Sequence, residues 1–245
     1  MHHFFVNQDQ IEENIISIIG SDVNHIKNVL RMKINEQVLI SNGRDKDYLC
    51  SIDQITCDEV ILQIISVYEE KTELPAKIYL FQGLPKSDKM ELIIQKAVEL
   101  GVYEIIPVAM KNSVVKLDEK KAENKIKRWQ TISESAAKQS KRMLIPKVEQ
   151  VMTFKEALDY ARAFEYNLIP YENARGMQET KELIGSLRPN SSIGVFIGPE
   201  GGFDNAEIEL ALSRNMKCIT LGKRILRTET AGLAALSVIM FQLEK

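Results

Sequence analysis

Two glycine-bearing stretches near the end of the chain carry the residue types best suited to holding a ligand. The first is Gly198-Pro199-Glu200-Gly201-Gly202, directly after the apolar run 193–197. Pro199 lacks an N–H and fixes its φ, while glycines open backbone angles closed to other residues and leave amides uncovered by side chains. Asp204 is placed to cap a following helix, and Glu207, three residues on, completes a capping box. The second stretch, 222–227, follows the run 218–221 and mixes Ile225 and Leu226 with Lys223, Arg224 and Arg227. That is an odd composition for a plain surface turn. Thr228 then stands where the cap of the last helix is expected. Either loop alone fits an ordinary strand–loop–helix turn; the two in succession point to a ligand site.

Such loops need strands to hold them and helices to receive them, and the chain supplies both in alternation from residue 77 on. Residues 77–81 read as a strand, 83–87 as a loop, and the next stretch as a helix running to Leu100 and ended by Gly101. Met90, Ile93, Ile94, Ala97 and Val98 recur at helical spacing, so one face of that helix is core. Strands at 104–108 and 167–170 follow, and this alternation predicts a mostly parallel sheet covered by helices. No G-x-G-x-x-G lies between a strand and a helix and no GK[ST] occurs, which counts against dinucleotide-linked and nucleoside-triphosphate chemistry. The last helix reads AGLAALSVIMFQL over 231–243, apolar almost all round, and is expected to be buried on every side.

The N-terminal part differs. Short β-like runs at 4–6 (an edge strand), 38–40, 48–55 and 60–68 are punctuated by Asn42-Gly43, a hairpin signal, and by Cys57-Asp58-Glu59. One helix interrupts them, capped by Ser21 or Asp22, with Val23, Ile26, Val29 and Leu30 as its apolar face. Strands at this spacing predict a small closed barrel. The charged, proline-ended run Glu69-Glu70-Lys71-Thr72-Glu73-Leu74-Pro75 marks a boundary, dividing 1–72 from 73–245.

At 245 residues with a net charge of −2, the chain has an ordinary globular composition, and any nucleic-acid contact must come from local patches. One such patch lies between Lys111 and Lys147, where eleven Lys and Arg face four acidic residues around the single Trp129. A solvated helical face is the plain alternative. Three cysteines, Cys50, Cys57 and Cys218, show no CxxC spacing, and the three histidines are His2, His3 and His25, so neither a disulfide scaffold nor a His/Cys metal centre is expected. The start, MHHFFVNQDQ, lacks the pattern of a signal peptide, and no apolar run is long enough to span a membrane. The expectation is a soluble cytoplasmic protein without metal.

The segments IGPEGGFDNAEIE (197–209) and LGKRILRTETA (221–231) resemble those of the SPOUT methyltransferases, and within them the RsmE type. RWQTISESAAKQSKR (128–142) and His25-Ile26-Lys27-Asn28-Val29-Leu30-Arg31 also look like family segments, with Asn24 where the family often has a second histidine. The resemblance runs over nearly the whole chain. It implies an α/β fold whose C-terminal domain is a trefoil-knotted, mostly parallel sheet, behind a small N-terminal PUA-like RNA-binding β-barrel. It implies S-adenosyl-L-methionine as methyl donor, and as activity the methylation of N3 of a specific uridine (the 1498 position in reference numbering) in 16S ribosomal RNA. The substrate is that RNA or the assembled small subunit, and the protein is a homodimer, since SPOUT proteins usually pair through helices near the knot. Other readings are a SPOUT enzyme acting on another RNA or base atom, and a non-catalytic ribosome-assembly protein.

Carried onto this sequence, the donor would be held by Tyr171, Gly198, Pro199, Glu200, Gly201, Gly202, Leu221, Gly222, Ile225, Leu226, Thr230 and Ala231. Leu221, Ile225 and Leu226 supply apolar walls, and Tyr171-Glu172 resembles a third ligand-facing loop. Uridine N3 keeps its proton at neutral pH, so that proton must leave and the charge on O2 and O4 must be stabilised. Arg227 is the best stabiliser, being always charged and able to fork two bonds. Glu200 and Glu229 are candidates for the base or for orienting Arg227. RNA contacts fall to His25, Arg31, Lys86, Lys138, Lys141 and Arg142. On physical grounds alone His25 reads as a hydrogen-bonded structural residue, and Arg31 as the complement of a helix dipole or a phosphate ligand.

Overall fold

Val38 and Ile40, then Tyr48, Cys50 and Ile52, then Val60 and Leu62 are buried at every second position, the period of strands with one face turned inward. The computed structural model describes residues 1–68, 72–174 and 176–244, and its chain divides into two units. The first comprises Met1–Glu73 with Ala137–Ile145; the second comprises Leu74–Ala136 with Pro146–Lys245. A single cut at 72/73 leaves 137–145 with the second unit, whereas the structure counts that stretch with the first. Residues 69–71 of the charged hinge lie outside the described residues.

In the first unit, β1 (His2–Phe5), β2 (Ile15–Ile19), β3 (Gln37–Ser41), β4 (Asp47–Ile55) and β5 (Glu59–Tyr68) form one sheet in the order β1-β3-β4-β5-β2. β1 runs parallel to β3 and the other neighbours are antiparallel. The sheet curls as a half-barrel around one core, which is the small barrel read from the sequence; among the described residues no ladder joins β1 to β2. The reason lies in the helical segment: Val23, Ile26 and Met32 fill that core together with Phe4, Ile16 and Ile18, so side chains cover what a closing ladder would cover. The β3–β4 hairpin is held by Asn42, whose Oδ1 accepts N–H bonds from Arg44, Asp45 and Lys46 at 3.0, 3.0 and 3.1 Å.

The interrupting helix differs from its sequence reading in two ways. α1 (Ser21–Asn24) is preceded by Gly20 at φ 77 and has no side-chain cap, so neither Ser21 nor Asp22 caps it. From His25 to Val29 the backbone winds as a π turn, with the Leu30 N–H reaching the His25 carbonyl at 2.8 Å. The wider turn shifts the angular spacing of side chains. Val23 and Ile26 stay buried, but Val29 leaves the expected face and is 62 % exposed.

The second unit alternates as expected. β6 (Lys77–Gly83), α2 (Lys89–Glu99), β7 (Glu104–Ala109), α3 (Glu119–Ser140), the short β8 (Lys147–Val148) and β9 (Met152–Thr153), α4 (Phe154–Tyr160), β10 (Tyr166–Pro170), α5 (Met177–Gly185), β11 (Ser192–Ile197), α6 (Asn205–Ser213), β12 (Lys217–Ile219) and α7 (Thr228–Leu243) follow in order. The sheet runs β12-β10-β11-β6-β7-β8, with β9 also on β7, and every pairing is parallel. Tyr79, Phe81 and Phe196 pack with Phe154 and Leu158 of α4 and Ile208 of α6 in one core, where Phe81 and Phe196 stack at 4.1 Å. The opposite face of β6 and β11 meets α7: a Cβ on Gly232 would lie 3.6 Å from Gln82 Oε1 and 3.7 Å from Ile197 Cγ1. α2 buries Met90, Ile93, Ile94, Ala97 and Val98, as its spacing predicts. α7 departs from expectation. It buries Ala235, Leu236 and Ile239, yet leaves Val238 half exposed and Phe241 84 % exposed, so it is not enclosed within this chain.

Candidate functional site

β11 sits between β6 and β10, and β12 lies beyond β10, so the loops leaving β10, β11 and β12 emerge at the same edge of the sheet. In open parallel sheets that carboxyl edge is where ligands bind. Here the three loops line one cleft of about 360 Å³. Pro170, Tyr171 and Glu172 come from the first loop, 197–200 with Gly202 and Phe203 from the second, and Thr220, Leu221, Gly222 and Arg224–Arg227 from the third. Lys89, Thr228 and Ala231 complete the wall.

Packing explains the loop after β11. A Cβ on Gly83 would lie 2.7 Å from Pro199 Cδ and Pro199 N, so β6 must carry glycine for the loop to rest on it. Asn112 Nδ2 donates to the carbonyls of Gly201 and Gly202 at 3.2 and 3.3 Å. Asp204 caps α6 by accepting the Ala206 N–H at 3.0 Å, and Glu207 returns a bond from the Asp204 N–H at 2.9 Å, the capping box read from the sequence. Gly202 (φ 66) and Gly222 (φ 113) line the cleft in left-handed conformations, and a Cβ on either would meet nothing within 4 Å. Both leave bare backbone facing open space, a cradle that a side chain would fill.

Thr228 does not cap the last helix. Arg227 is the N-cap and no side-chain cap bond is made; Thr228 is the first helical residue. Its buried hydroxyl donates to the Gly198 carbonyl at 2.6 Å and accepts from Gln82 Nε2 at 2.9 Å. The hydroxyl thus joins the glycine loop, the central strand and the last helix at one point.

Charge is concentrated on one side of the cleft. Lys89 Nζ lies 2.9 Å from Glu200 Oε1 and 3.4 Å from Glu229 Oε2. The Lys86 N–H also reaches both oxygens of Glu200, at 3.0 and 3.3 Å. Burial raises the Glu200 pKa, but the Lys89 ammonium together with the N–H groups of Glu200 and Lys86 outweighs it and holds this carboxyl below its usual range. The hydrogen bond to Glu200 in turn raises Lys89. Glu229 Oε2 is buried and makes no hydrogen bond beyond that ion pair. Arg227 is exposed and makes no ion pair among the described residues.

Of the residues expected around the donor, Tyr171, Gly198, Pro199, Glu200, Gly202, Leu221, Gly222, Ile225, Leu226 and Ala231 line the cleft, as does Arg227. Gly201, Thr230 and Glu229 do not. Gly201 turns toward Asn112, whose Cβ would be 3.0 Å from a Cβ there; Thr230 is exposed on α7; Glu229 stands behind Lys89. Sequence reasoning missed Lys89, Phe203, Thr220, Arg224 and the wall role of Thr228. Lys89 had one available signal, a cation at the start of a helix whose other first-turn residues are apolar or acidic.

The expected RNA contacts scatter. His25 and Arg31 are exposed in the first unit, His25 with its ring edge-on to Phe4 and, among the described residues, no side-chain hydrogen bond, so the hydrogen-bonded reading does not hold; Arg31 is at φ 53. Lys141 is exposed. Lys138 is ion-paired to Asp22 at 3.1 Å. Arg142 is 4 % exposed and ion-paired to Glu73, which removes it from any outward phosphate-binding group. Lys86 is exposed in the second unit. Of the eleven cations between 111 and 147, Lys111, Lys121, Arg128, Lys138, Arg142 and Lys147 are in ion pairs, and Trp129 is buried, so much of the segment's charge is internally matched. Among the described residues no group of three His, Cys, Asp or Glu side chains is placed to hold a metal ion, and no helix is long and apolar enough to cross a membrane.

Comparison with known proteins agrees with this geometry. Residues 72–240 match the family model described as RNA methyltransferase domain, and residues 18–65 match the RNA methyltransferase PUA domain. The ribosomal RNA small subunit methyltransferase E of Bacillus subtilis is 40% identical, the alignment covering 100% of this chain and 98% of the relative. A ribosomal RNA small subunit methyltransferase E from Neisseria gonorrhoeae, solved bound to S-adenosyl methionine, superposes with a TM-score of 0.85 at 31% identity, covering 98% of this chain and 97% of its own. A Legionella pneumophila protein solved with the bound cofactor SAM superposes with a TM-score of 0.86 at 30% identity, covering 98% and 96%. Similarity over the full length of the chain settles the family: it belongs to the ribosomal RNA small subunit methyltransferase E family of RNA methyltransferases.

Proposed function

We propose that the chain methylates N3 of a specific uridine of 16S ribosomal RNA with S-adenosyl-L-methionine as donor, acting in the cytoplasm. The observation that carries this is the convergence of the loops after β10, β11 and β12 on one cleft with apolar walls and bare glycine backbone. These residues fit the donor. Leu221, Ile225, Leu226 and Tyr171 offer apolar surface for an adenine, and the backbone at Gly202 and Gly222 offers polar groups free of side-chain bulk. Bound there, S-adenosylmethionine supplies a methyl group already activated by its sulfonium.

The chain's own part is to orient the acceptor and manage its charge. N3 forms a bond to the methyl carbon as the carbon–sulfur bond breaks, and the N3 proton passes to a base. Arg227, exposed at the cleft mouth and without an ion-pair partner, is the group that meets the charge gathering on the uracil oxygens. Glu200, held low by Lys89, is a weak proton acceptor, so its role is that of a counter-ion. His25, Arg31, Lys86 and Lys141 remain as exposed residues for RNA. The exposed Val238 and Phe241 support α7 as the face on which two copies pair, and Phe241→Glu is expected to yield monomers in light scattering.

The test is methyl transfer from isotopically labelled S-adenosylmethionine to small subunits and to naked 16S RNA, followed by nucleoside mass spectrometry. 3-Methyluridine at one position is the expected product. A mark on another base atom or another RNA selects the broader SPOUT reading, and cofactor binding without transfer selects a non-catalytic assembly role.

A further inference from the structure

We infer that Lys89 is a positioning residue of the cleft: its ammonium, shared between Glu200 and Glu229, ties the glycine loop after β11 to the first turn of α7 and so fixes where Arg227 stands. The inference rests on the methyltransferase reading for its effect on rate, but the tie itself is a property of the ligand-free chain.

Three segments far apart in sequence meet at this nitrogen. Lys89 opens α2, Glu200 sits in the loop after β11, and Glu229 is the second residue of α7. The start of α2 holds Glu200 twice, through the Lys86 N–H and through the Lys89 ammonium. Removing the ammonium would leave two carboxylates close together with no cation between them, one of them with a buried oxygen that has no hydrogen bond. Mutual repulsion would then push the loop and the helix start apart. Arg227 stands two positions before Glu229 and serves as the N-cap, so its guanidinium moves with that first turn. Lys89 lines the cleft, but its charge is already matched by two carboxylates. It therefore acts through Glu200 and Glu229 and not on the reacting atoms.

The experiment uses the full chain with Lys89→Met, Lys89→Arg, Glu200→Gln and the double variant Lys89→Met/Glu200→Gln. In the ligand-free protein, amide hydrogen exchange at 198–203 and at 231–234, the first hydrogen-bonded amides of α7, should rise together in Lys89→Met, while amides of β6 and β7 keep their protection. At saturating donor, the single-turnover rate of Lys89→Met should fall by roughly tenfold to a hundredfold, the range expected when a reacting geometry is loosened. Lys89→Arg should recover most of the loss. Adding Glu200→Gln to Lys89→Met should cost less than the product of the two single effects, because both break one tie. If Lys89→Met does not fold, Lys89→Arg and Glu200→Gln still report exchange in the two segments. Unchanged exchange in both segments, or single effects that multiply, would overturn the inference. A parent protein that transfers no methyl group while Lys89→Met still loosens both segments would count against the methyltransferase reading and leave the tie standing.

Discussion

The two ends of the parallel sheet each carry a pair of carboxylates, and one member of each pair, Glu104 and Glu200, is shifted in opposite directions. At the amino end, Glu104 opens β7 and is 7 % exposed. Burial, helped by the hydrogen bond it shares with Glu149, pushes it up to about 7, although the Tyr160 hydroxyl at 2.7 Å and Lys147 pull the other way. For Glu149, burial is outweighed by the bonds to Glu104 and Lys147, and its pKa lies below the usual value. The arrangement is one proton held between two carboxyls. At the carboxyl end, Glu200 is also partly buried, but Lys89 and two backbone N–H groups hold it ionised. Burial alone does not decide the charge of a carboxyl; the supply of donors does. Lys147 is largely exposed and screened, whereas Lys89 is only 30 % exposed and sits between its partners. The same sheet thus has a nearly neutral structural end and a charged end facing the cleft.

If the chemistry belongs to the charged end alone, the largest effect should come from Arg227. Arg227→Ala is expected to lower single-turnover methylation about a hundredfold or more, the usual cost of losing one transition-state donor. Its thermal midpoint should hardly move, since an exposed loop cation adds little to stability. Arg227→Lys should rescue poorly, because a point charge cannot fork onto a planar edge. Glu104→Gln, at the other end of the sheet, should leave the rate within about twofold, as distant sites act independently. A near-normal rate for Arg227→Ala, or a large loss for Glu104→Gln, breaks the contrast.

Thr228→Val sharpens it on a smaller scale. The change keeps the shape and removes the hydroxyl that joins Gly198 to Gln82. It leaves a carbonyl and a buried amide N–H without partners, a cost of about 1–3 kcal/mol. The loss should appear in urea unfolding and, because Gly198 lines the cleft, as weaker S-adenosylmethionine binding by calorimetry. Binding at full strength would show that the loop keeps its shape without the helix.

The sequence made the scaffold legible where a pattern repeats. The five buried positions of α2 and the Asp204–Glu207 capping box are local, and local chemistry settles them. The two cleft loops were legible for the same reason, since each glycine-rich break follows an apolar strand. What stayed hidden depends on partners distant in sequence. Thr228 looked like a cap because nothing local announces Gln82, 146 positions away. Lys89 has no local sign of its role because its carboxylates, Glu200 and Glu229, lie in other segments. Arg142 looked like an RNA contact because a basic run says nothing about Glu73, which buries it. The π turn at His25–Val29 has no signature in residue types, and uniform helical spacing puts Val29 on the apolar face that the wider turn moves it away from.

The smallest effect on the reaction lies at the neutral end, where the change is one of stability alone, and its sign is fixed by the shift. Glu104 binds its proton more tightly folded, at about 7, than unfolded, at the ordinary 4.5. Folding is therefore favoured most where both states are protonated, below about 4.5, and that contribution is lost as pH rises through about 7. The parent protein should lose stability over this window. In Glu104→Gln the amide oxygen can still accept from the Tyr160 hydroxyl, and the amide nitrogen can donate to Glu149 in place of the shared proton. The variant cannot ionise, so its stability relative to the parent should grow between pH 5 and pH 8 by at most about 2.7 kcal/mol, the two units from pH 5 to about 7 at 1.36 kcal/mol each. Urea unfolding at pH 5 and pH 8 measures the difference. The same difference between variant and parent at pH 5 and at pH 8 would mean that Glu104 is already ionised in the folded protein. The two ends of the sheet would then be alike in charge, and the distinction drawn from their donors would fail.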